Sequence, residues 1–200
     1  MLPPRLLVAT SNAHKVLEFR RLLADLPTDL LTPADLGISL DVVEDGSTFR
    51  DNASLKAHAF AKASGLPSLA DDSGIEVDAL DGGPGVLSAR YGGTGLSDDD
   101  RLQLLLTELQ DVPDARRTCR YRVVLVLVQL DGTEQATEGT CEGRVAHTPV
   151  GSNGFGYDPV FFVPTYGKTI AQLDPSQKDE ISHRGKAARA MAALLAPNTR

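Results

Sequence analysis

Leu6-Leu7-Val8-Ala9-Thr10-Ser11-Asn12-Ala13-His14-Lys15 decides the fold class. Four consecutive apolar residues suit a buried strand, and the polar trio Thr10-Ser11-Asn12 breaks it. From Lys15 the period changes. Val16, Phe19, Leu22, Leu23 and Leu26 fall on one helical face, and Pro27 closes the helix. Strand, polar turn and helix in that order predict an α/β protein.

Further elements follow along the chain. Thr48 and Asp51 have the spacing of a capping box, with Asp in place of Glu, and Phe49, Ala53, Ala57, Phe60 and Ala61 support a helix that Gly65 and Pro67 end. Ser97 caps a third helix whose buried face is Leu102, Leu105, Leu106 and Leu109. Asp98-Asp99-Asp100 suits its first turn, facing the helix dipole, better than a metal site. Val123 to Leu130 reads as a central buried strand, Asp131-Gly132 as a two-residue turn, and Thr133 to Val145 as the partner strand. Val160 to Val163 gives another strand. Ala187, Ala190, Met191, Leu194 and Leu195 give a final helix.

With 200 residues and no repeat, low-complexity stretch or long linker, residues 1–200 read as one domain, with flexible ends at about 1–5 and 196–200. A net charge of −7 argues against a nucleic-acid-binding surface; a polyanionic ligand would need a metal ion or a local cluster of Lys and Arg. Cys119 and Cys141 are too few for a disulfide framework and read as reduced thiols of a cytoplasmic protein. No apolar run has the length of a membrane span, and Met1-Leu2-Pro3-Pro4-Arg5 lacks the apolar region of a signal peptide.

Four stretches carry the chemistry. Leu69-Ala70-Asp71-Asp72-Ser73-Gly74 delivers two adjacent carboxylates from an apolar lead into a turn that the glycine permits. On a strand they point to opposite faces, so they cannot share one role. Such a carboxylate suits a hard cation or a general base, although Asp, Ser and Gly also form plain surface turns. Thr10-Ser11-Asn12-Ala13-His14-Lys15 lies between strand and helix, where helix N–H groups, the dipole and Lys15 attract phosphate; Asn12 also fits a plain N-cap. Gly154-Phe155-Gly156-Tyr157-Asp158-Pro159 concentrates two aromatics in a glycine-rich loop, in a chain with 5% aromatics and no Trp. One reading is a ring stacked on a nucleobase, the other a tight turn with its rings in the core. Lys178 and Ser182-His183-Arg184-Gly185, just before the last helix, cluster donors suited to carbonyl or phosphate oxygen. Glu44 is a candidate second carboxylate for a cation held by Asp72. No His/Cys cluster has zinc spacing, and Ser73 has no His base near it in sequence.

In their order along the chain, these stretches resemble the inosine triphosphate pyrophosphatase family. The resemblance also includes Glu44…Thr48-Phe49, Asn52-Ala53…Lys56-Ala57 and Pro84-Gly85…Ser88-Ala89-Arg90-Tyr91, and runs from about residue 6 to 195. It implies an elongated, two-lobed α/β fold with a long mixed sheet flanked by helices and a substrate cleft between lobes. It implies Mg²⁺-dependent hydrolysis of ITP, dITP and XTP to the monophosphate and pyrophosphate, by a homodimer. Thr10, Ser11, Asn12, Ala13, His14 and Lys15 would hold phosphates. Asp72 would be general base and Mg²⁺ ligand, and Glu44 would assist the metal. Ser73 would touch substrate. Phe155, Gly156, Tyr157 and Asp158 would line the base pocket, and Lys178, His183 and Arg184 would contact the base. Lys56 and Arg90 sit in family blocks with roles left open. Ser11 departs from some relatives, which have Gly there. The alternatives are a Maf-type pyrophosphatase acting on modified pyrimidines, against which the Ser182–Gly185 block argues, and a non-catalytic nucleotide-binding module.

Overall fold

The computed structural model describes residues 3–196, so part of the ends expected to be flexible, 1–2 and 197–200, lies outside the described residues. Pro3 and Pro4 are tied down: their carbonyls accept from Thr28 Oγ1 (2.7 Å) and Asp29 N (2.9 Å). Seven strands form one mixed sheet in the order β2-β1-β3-β4-β5-β6-β7. They are β1 (Arg5–Val8), β2 (Asp29–Leu31), β3 (Ser68–Val77), β4 (Thr118–Val128), β5 (Glu134–Val145), β6 (Phe161–Val163) and β7 (Lys168–Thr169). The helices are α1 (Ala13–Leu22), α2 (Phe49–Ser64), α3 (Asp98–Glu108), α4 (Pro175–Ile181) and α5 (His183–Leu195). The α/β expectation is met. β1 runs parallel to β2 and β3, while β5, β6 and β7 pair antiparallel.

The chain divides into two compact units. The first takes residues up to Asp72, Val123–Gly139 and Arg184 onward; the second takes Ser73–Arg122 and Thr140–His183. The first unit's core packs Leu6, Val8, Phe19, Leu69, Leu125, Ala187 and Met191. The second unit's core packs Ile75, Leu102, Leu105, Cys119, Tyr121, Cys141 and Phe161. In the first unit Leu7 pairs with Ser68 and Val8 with Leu69, and Ala9 N donates to Leu69 O at 2.8 Å. This register sets the Thr10–Lys15 turn beside the strand that carries Asp71 and Asp72.

Local signals fixed the helix starts. Thr48 and Asp51 exchange both bonds of the capping box at 3.1 Å, and Ser97 and Asp100 do so at 2.9 and 3.1 Å. Gly65 ends α2 at φ 66°, a left-handed conformation that glycine adopts without strain.

Three expectations are corrected. The turn at Gly74 does not exist: β3 continues through it to Val77. Glycine is required there for close approach, since a Cβ would lie 2.2 Å from Gly85 O and 2.4 Å from Ser88 Oγ. The Asp131-Gly132 hairpin is a three-residue loop. Gln129 N donates to Thr133 O (2.9 Å) and Gly132, at φ 84°, donates to Gln129 O (3.0 Å). Leu130, expected in the strand, therefore sits in the loop and is 64% exposed. The Ser182–Gly185 block does not precede the last helix, because α5 begins at His183 and Ser182 ends α4.

Candidate active site

Within the first unit, β3, α1, α2 and α5 converge charged side chains around the two aspartates. Asp71 is buried, and Lys15 Nζ lies 3.0 Å from each of its carboxylate oxygens. Arg184 donates to Asp71 Oδ2 from Nη2 (2.9 Å) and Nε (3.3 Å), and from Nη1 to Glu18 Oε2 at 2.6 Å. Burial alone would push the Asp71 pKa up. Lys15 and Arg184 outweigh it and hold the carboxyl well below the usual range. The Lys15 ammonium moves down, because its burial outweighs the attraction of Asp71, and Arg184 and Lys56 push the same way.

Asp72 has a different setting. Asn52 Nδ2 donates to its Oδ2 at 3.0 Å, and Lys56 Nζ lies 3.7 Å from its Oδ1. Lys56 also binds Glu44 Oε2 at 2.7 Å, so one ammonium draws two carboxylates together. Burial raises the Asp72 pKa, and Lys56, Asn52 and Lys15 only partly offset it; Glu44 adds to the rise. Adjacent aspartates are thus driven in opposite directions, which is a mark of functional sites.

Asn52 was missed as a site residue. It is 1% exposed, and besides holding Asp72 its Oδ1 accepts from Gly46 N at 2.8 Å, fixing the loop that carries Glu44. The available signal was a polar residue on the Phe49/Ala53 apolar face of α2. Glu18 left no such signal.

In the Thr10–Lys15 turn, Asn12 caps α1. Its Oδ1 accepts from His14 N (2.9 Å) and Lys15 N (3.2 Å), while Thr10 Oγ1 accepts from Asn12 N (3.2 Å). These amides, expected to face phosphate, are here engaged by side chains of the turn itself. Ser11, Asn12, Ala13 and His14 are exposed and Thr10 is half-buried.

The second unit gathers the remaining candidates. Asp158 is 3% exposed; its Oδ2 accepts from Lys178 Nζ (2.6 Å) and Phe155 N (3.0 Å), and its Oδ1 from Tyr121 Oη (3.2 Å). Lys178 Nζ stands 4.9 Å from the centroid of the half-buried Phe155 ring. Tyr157 is a core residue whose hydroxyl donates to Ser88 O at 2.9 Å, so of the two aromatics in this loop Tyr157 is buried and Phe155 half-buried. The His183 ring stacks on Tyr121, with centroids 4.7 Å apart. Tyr121 was not foreseen either. Gly156 and Ser73 are half-buried and Arg90 is exposed. Arg184, grouped with Lys178 and His183 by sequence, belongs instead to the first unit and binds Asp71 and Glu18.

A cation has a place in this donor set. Glu44 and Asp72 are hard oxygen donors already sharing one positive charge, and Mg²⁺ takes few carboxylates and fills its shell with water and phosphate oxygen. Among the described residues there is no group of three or more His, Cys, Asp or Glu arranged for a metal ion, so a site here depends on those outer ligands.

Residues 6–194 match the model of the Ham1 family. The chain belongs to the Ham1 family. It is 46% identical over 193 residues to the dITP/XTP pyrophosphatase of Yersinia pestis, covering 96% of this chain and 98% of that one. It is 47% identical to the dITP/XTP pyrophosphatase of Shigella flexneri, with the same coverage. Among solved structures, a HAM1 protein from Coxiella burnetii superposes with a TM-score of 0.87 at 40% identity, covering 98% of both chains. The nucleoside-triphosphatase / dITP/XTP pyrophosphatase from Mycobacterium abscessus superposes at 0.75 with 43% identity, covering 96% of this chain and 100% of that one. The family resemblance carried by the motifs is therefore met by this Ham1 chain along nearly its whole length.

Proposed function

We propose that this Ham1 chain hydrolyses non-standard purine nucleoside triphosphates (ITP, dITP and XTP) to the monophosphate and pyrophosphate. The reading rests on Asp72: a carboxylate held at one oxygen by Asn52, with Lys56 3.7 Å from the other, within the electrostatic reach of Lys15 and Glu44. Its raised pKa makes it a better proton acceptor than an ordinary carboxylate. Asp72 takes a proton from the attacking water. Lys15 and Lys56 set positive charge against the phosphate oxygens as the bond between α- and β-phosphoryl groups breaks. Thr10, Ser11 and Asn12 supply polar contacts to the same chain of phosphates. Arg184 and Asp71 keep Lys15 in position, a role that replaces the base contact first expected of Arg184.

Glu44 and Asp72 would hold Mg²⁺. When bound, the ion neutralises phosphate charge and orients the triphosphate.

The base falls to Phe155, Lys178 and His183. Hypoxanthine and xanthine present a 6-keto acceptor that a donor such as Lys178 satisfies. Adenine presents an amino group there, donor facing donor, a mismatch worth on the order of 10⁴ in favourable sites. The homodimer is carried from the family resemblance, and light scattering should return about twice the chain mass.

A panel of dITP, XTP, dATP, dGTP and dUTP with and without Mg²⁺, with products identified by chromatography, tests the reading. The expected result is monophosphate and pyrophosphate from dITP and XTP, abolished by EDTA, with dATP a poor substrate. Orthophosphate as first product, or equal turnover of dATP, would overturn it. Preference for dUTP would favour the pyrimidine alternative.

A further inference from the structure

Tyr121 reaches the base-reading cluster from β4 without being among the residues that read the base. It is 7% exposed and sits in the second unit's core. Its ring stacks on Phe161 (centroids 4.3 Å apart, planes 10°) and on His183 (4.7 Å, 25°). Its hydroxyl lies 3.2 Å from Asp158 Oδ1, while Lys178 holds the other oxygen of that carboxylate at 2.6 Å.

We infer that Tyr121 is the positioning residue for base selectivity, fixing Lys178 through its hydrogen bond to Asp158 and His183 through ring stacking. The inference rests on the assignment of Lys178 and His183 to the base. The direction of the hydrogen bond follows from the surroundings. Burial, and then Asp158, drive the phenol pKa well above its ordinary value, so the hydroxyl keeps its proton and donates it. A strand residue stacked on two other rings is a firmer reference than the loop and the short helix that carry Asp158 and Lys178. With Oδ1 anchored by Tyr121 and Oδ2 by the Phe155 amide, the carboxylate is fixed at both oxygens, and the ammonium bound to Oδ2 stays aimed. Without the Tyr121 anchor the donor gains freedom: it is aimed less well at a keto oxygen and can turn away from an amino group. Selectivity then falls even though no contact with substrate has been removed.

Tyr121→Phe keeps the stack and deletes only the donor. The readout is the ratio of kcat/KM for dITP to that for dATP, measured on the same sample. This ratio does not depend on how much of the protein is folded, so partial loss of material cancels. Tyr121→Phe should lower the ratio by about tenfold, the scale of one lost hydrogen bond to a charged group, chiefly through a higher KM for dITP. Tyr121→Leu, which also removes the stack on His183, should lower it further. A selective wild type with an equally selective Tyr121→Phe variant, or with both substrates falling in proportion, would overturn the role of Tyr121 alone. A wild type that does not prefer dITP would overturn the base assignment and this inference with it.

Discussion

Asp71 and Asp72 are neighbours with opposite electrostatic fates, and substitution should separate them. Asp71 has its pKa held low by Lys15 and Arg184 against its burial, so it contributes stability that is present above its unfolded pKa, about 3.9, and lost as pH falls through the lower folded value. Asp71→Asn leaves the buried Arg184 and the half-buried Lys15 without their shared anion and should cost about 3–5 kcal/mol in a denaturant melt at pH 7. Asp72 has its pKa raised by burial, so the folded state holds that proton more tightly than the unfolded chain. Its ionisation therefore lowers stability as pH rises through the folded value. Asp72→Asn should keep or raise Tm at pH 7 while lowering turnover at least roughly a hundredfold, the loss expected of a missing proton acceptor. The acid limb of kcat/KM should correspondingly vanish in Asp72→Asn. A lower Tm in Asp72→Asn than in Asp71→Asn would reverse the assignment. Strand alternation predicted that the two carboxylates differ. It could not say which cations meet which acid, because Lys15 and Arg184 reach Asp71 across 56 and 113 residues of sequence.

At the level of elements, caps were legible and close approaches were not. Thr48 with Asp51 and Ser97 with Asp100 act within one helical turn, so their spacing carries the whole signal. Gly74 carries the opposite lesson. Asp-Ser-Gly has the composition of a turn, but the glycine is there because Gly85 and Ser88 cross β3 at that point, a contact no local pattern encodes. The Ser88 hydroxyl there accepts from Ile75 N (2.9 Å) and donates to Gly85 O (2.6 Å), locking the segment to the strand. Gly74→Ala should destabilise by about 1–3 kcal/mol, the usual cost of forcing atoms into a packed site. Trimming Ser88 in a Gly74→Ala, Ser88→Ala double variant should not restore stability, because the nearest atom, Gly85 O at 2.2 Å, is backbone. Full recovery in a urea titration would show that the hydroxyl, rather than the carbonyl, sets the requirement.

For the whole molecule, order along the chain translated into fold class, but the assembly of the sheet did not. A strand–turn–helix opening fixes α/β. The placement of β1 between β2 and β3 follows from long-range pairing that short apolar runs do not specify. Ser182 to Gly185 was legible as a block, yet its members serve different ends: His183 stacks on Tyr121 in one unit and Arg184 binds Asp71 in the other. The cysteines give a test of how tightly the second unit's core is closed. Cys119 is 0% and Cys141 3% exposed, and neither is in a disulfide. Burial raises the Cys119 pKa, so the reactive thiolate is scarce as well as hidden. Labelling by a thiol reagent therefore requires opening of the core. In native buffer the two thiols should react slowly. In denaturant both should react at once, with the labelled fraction rising over the same range as the loss of circular dichroism. Reductant should leave Tm unchanged. Rapid modification of either thiol well below the unfolding transition would mean that this core opens locally, and the rigid seat it provides for Tyr121 would be lost with it.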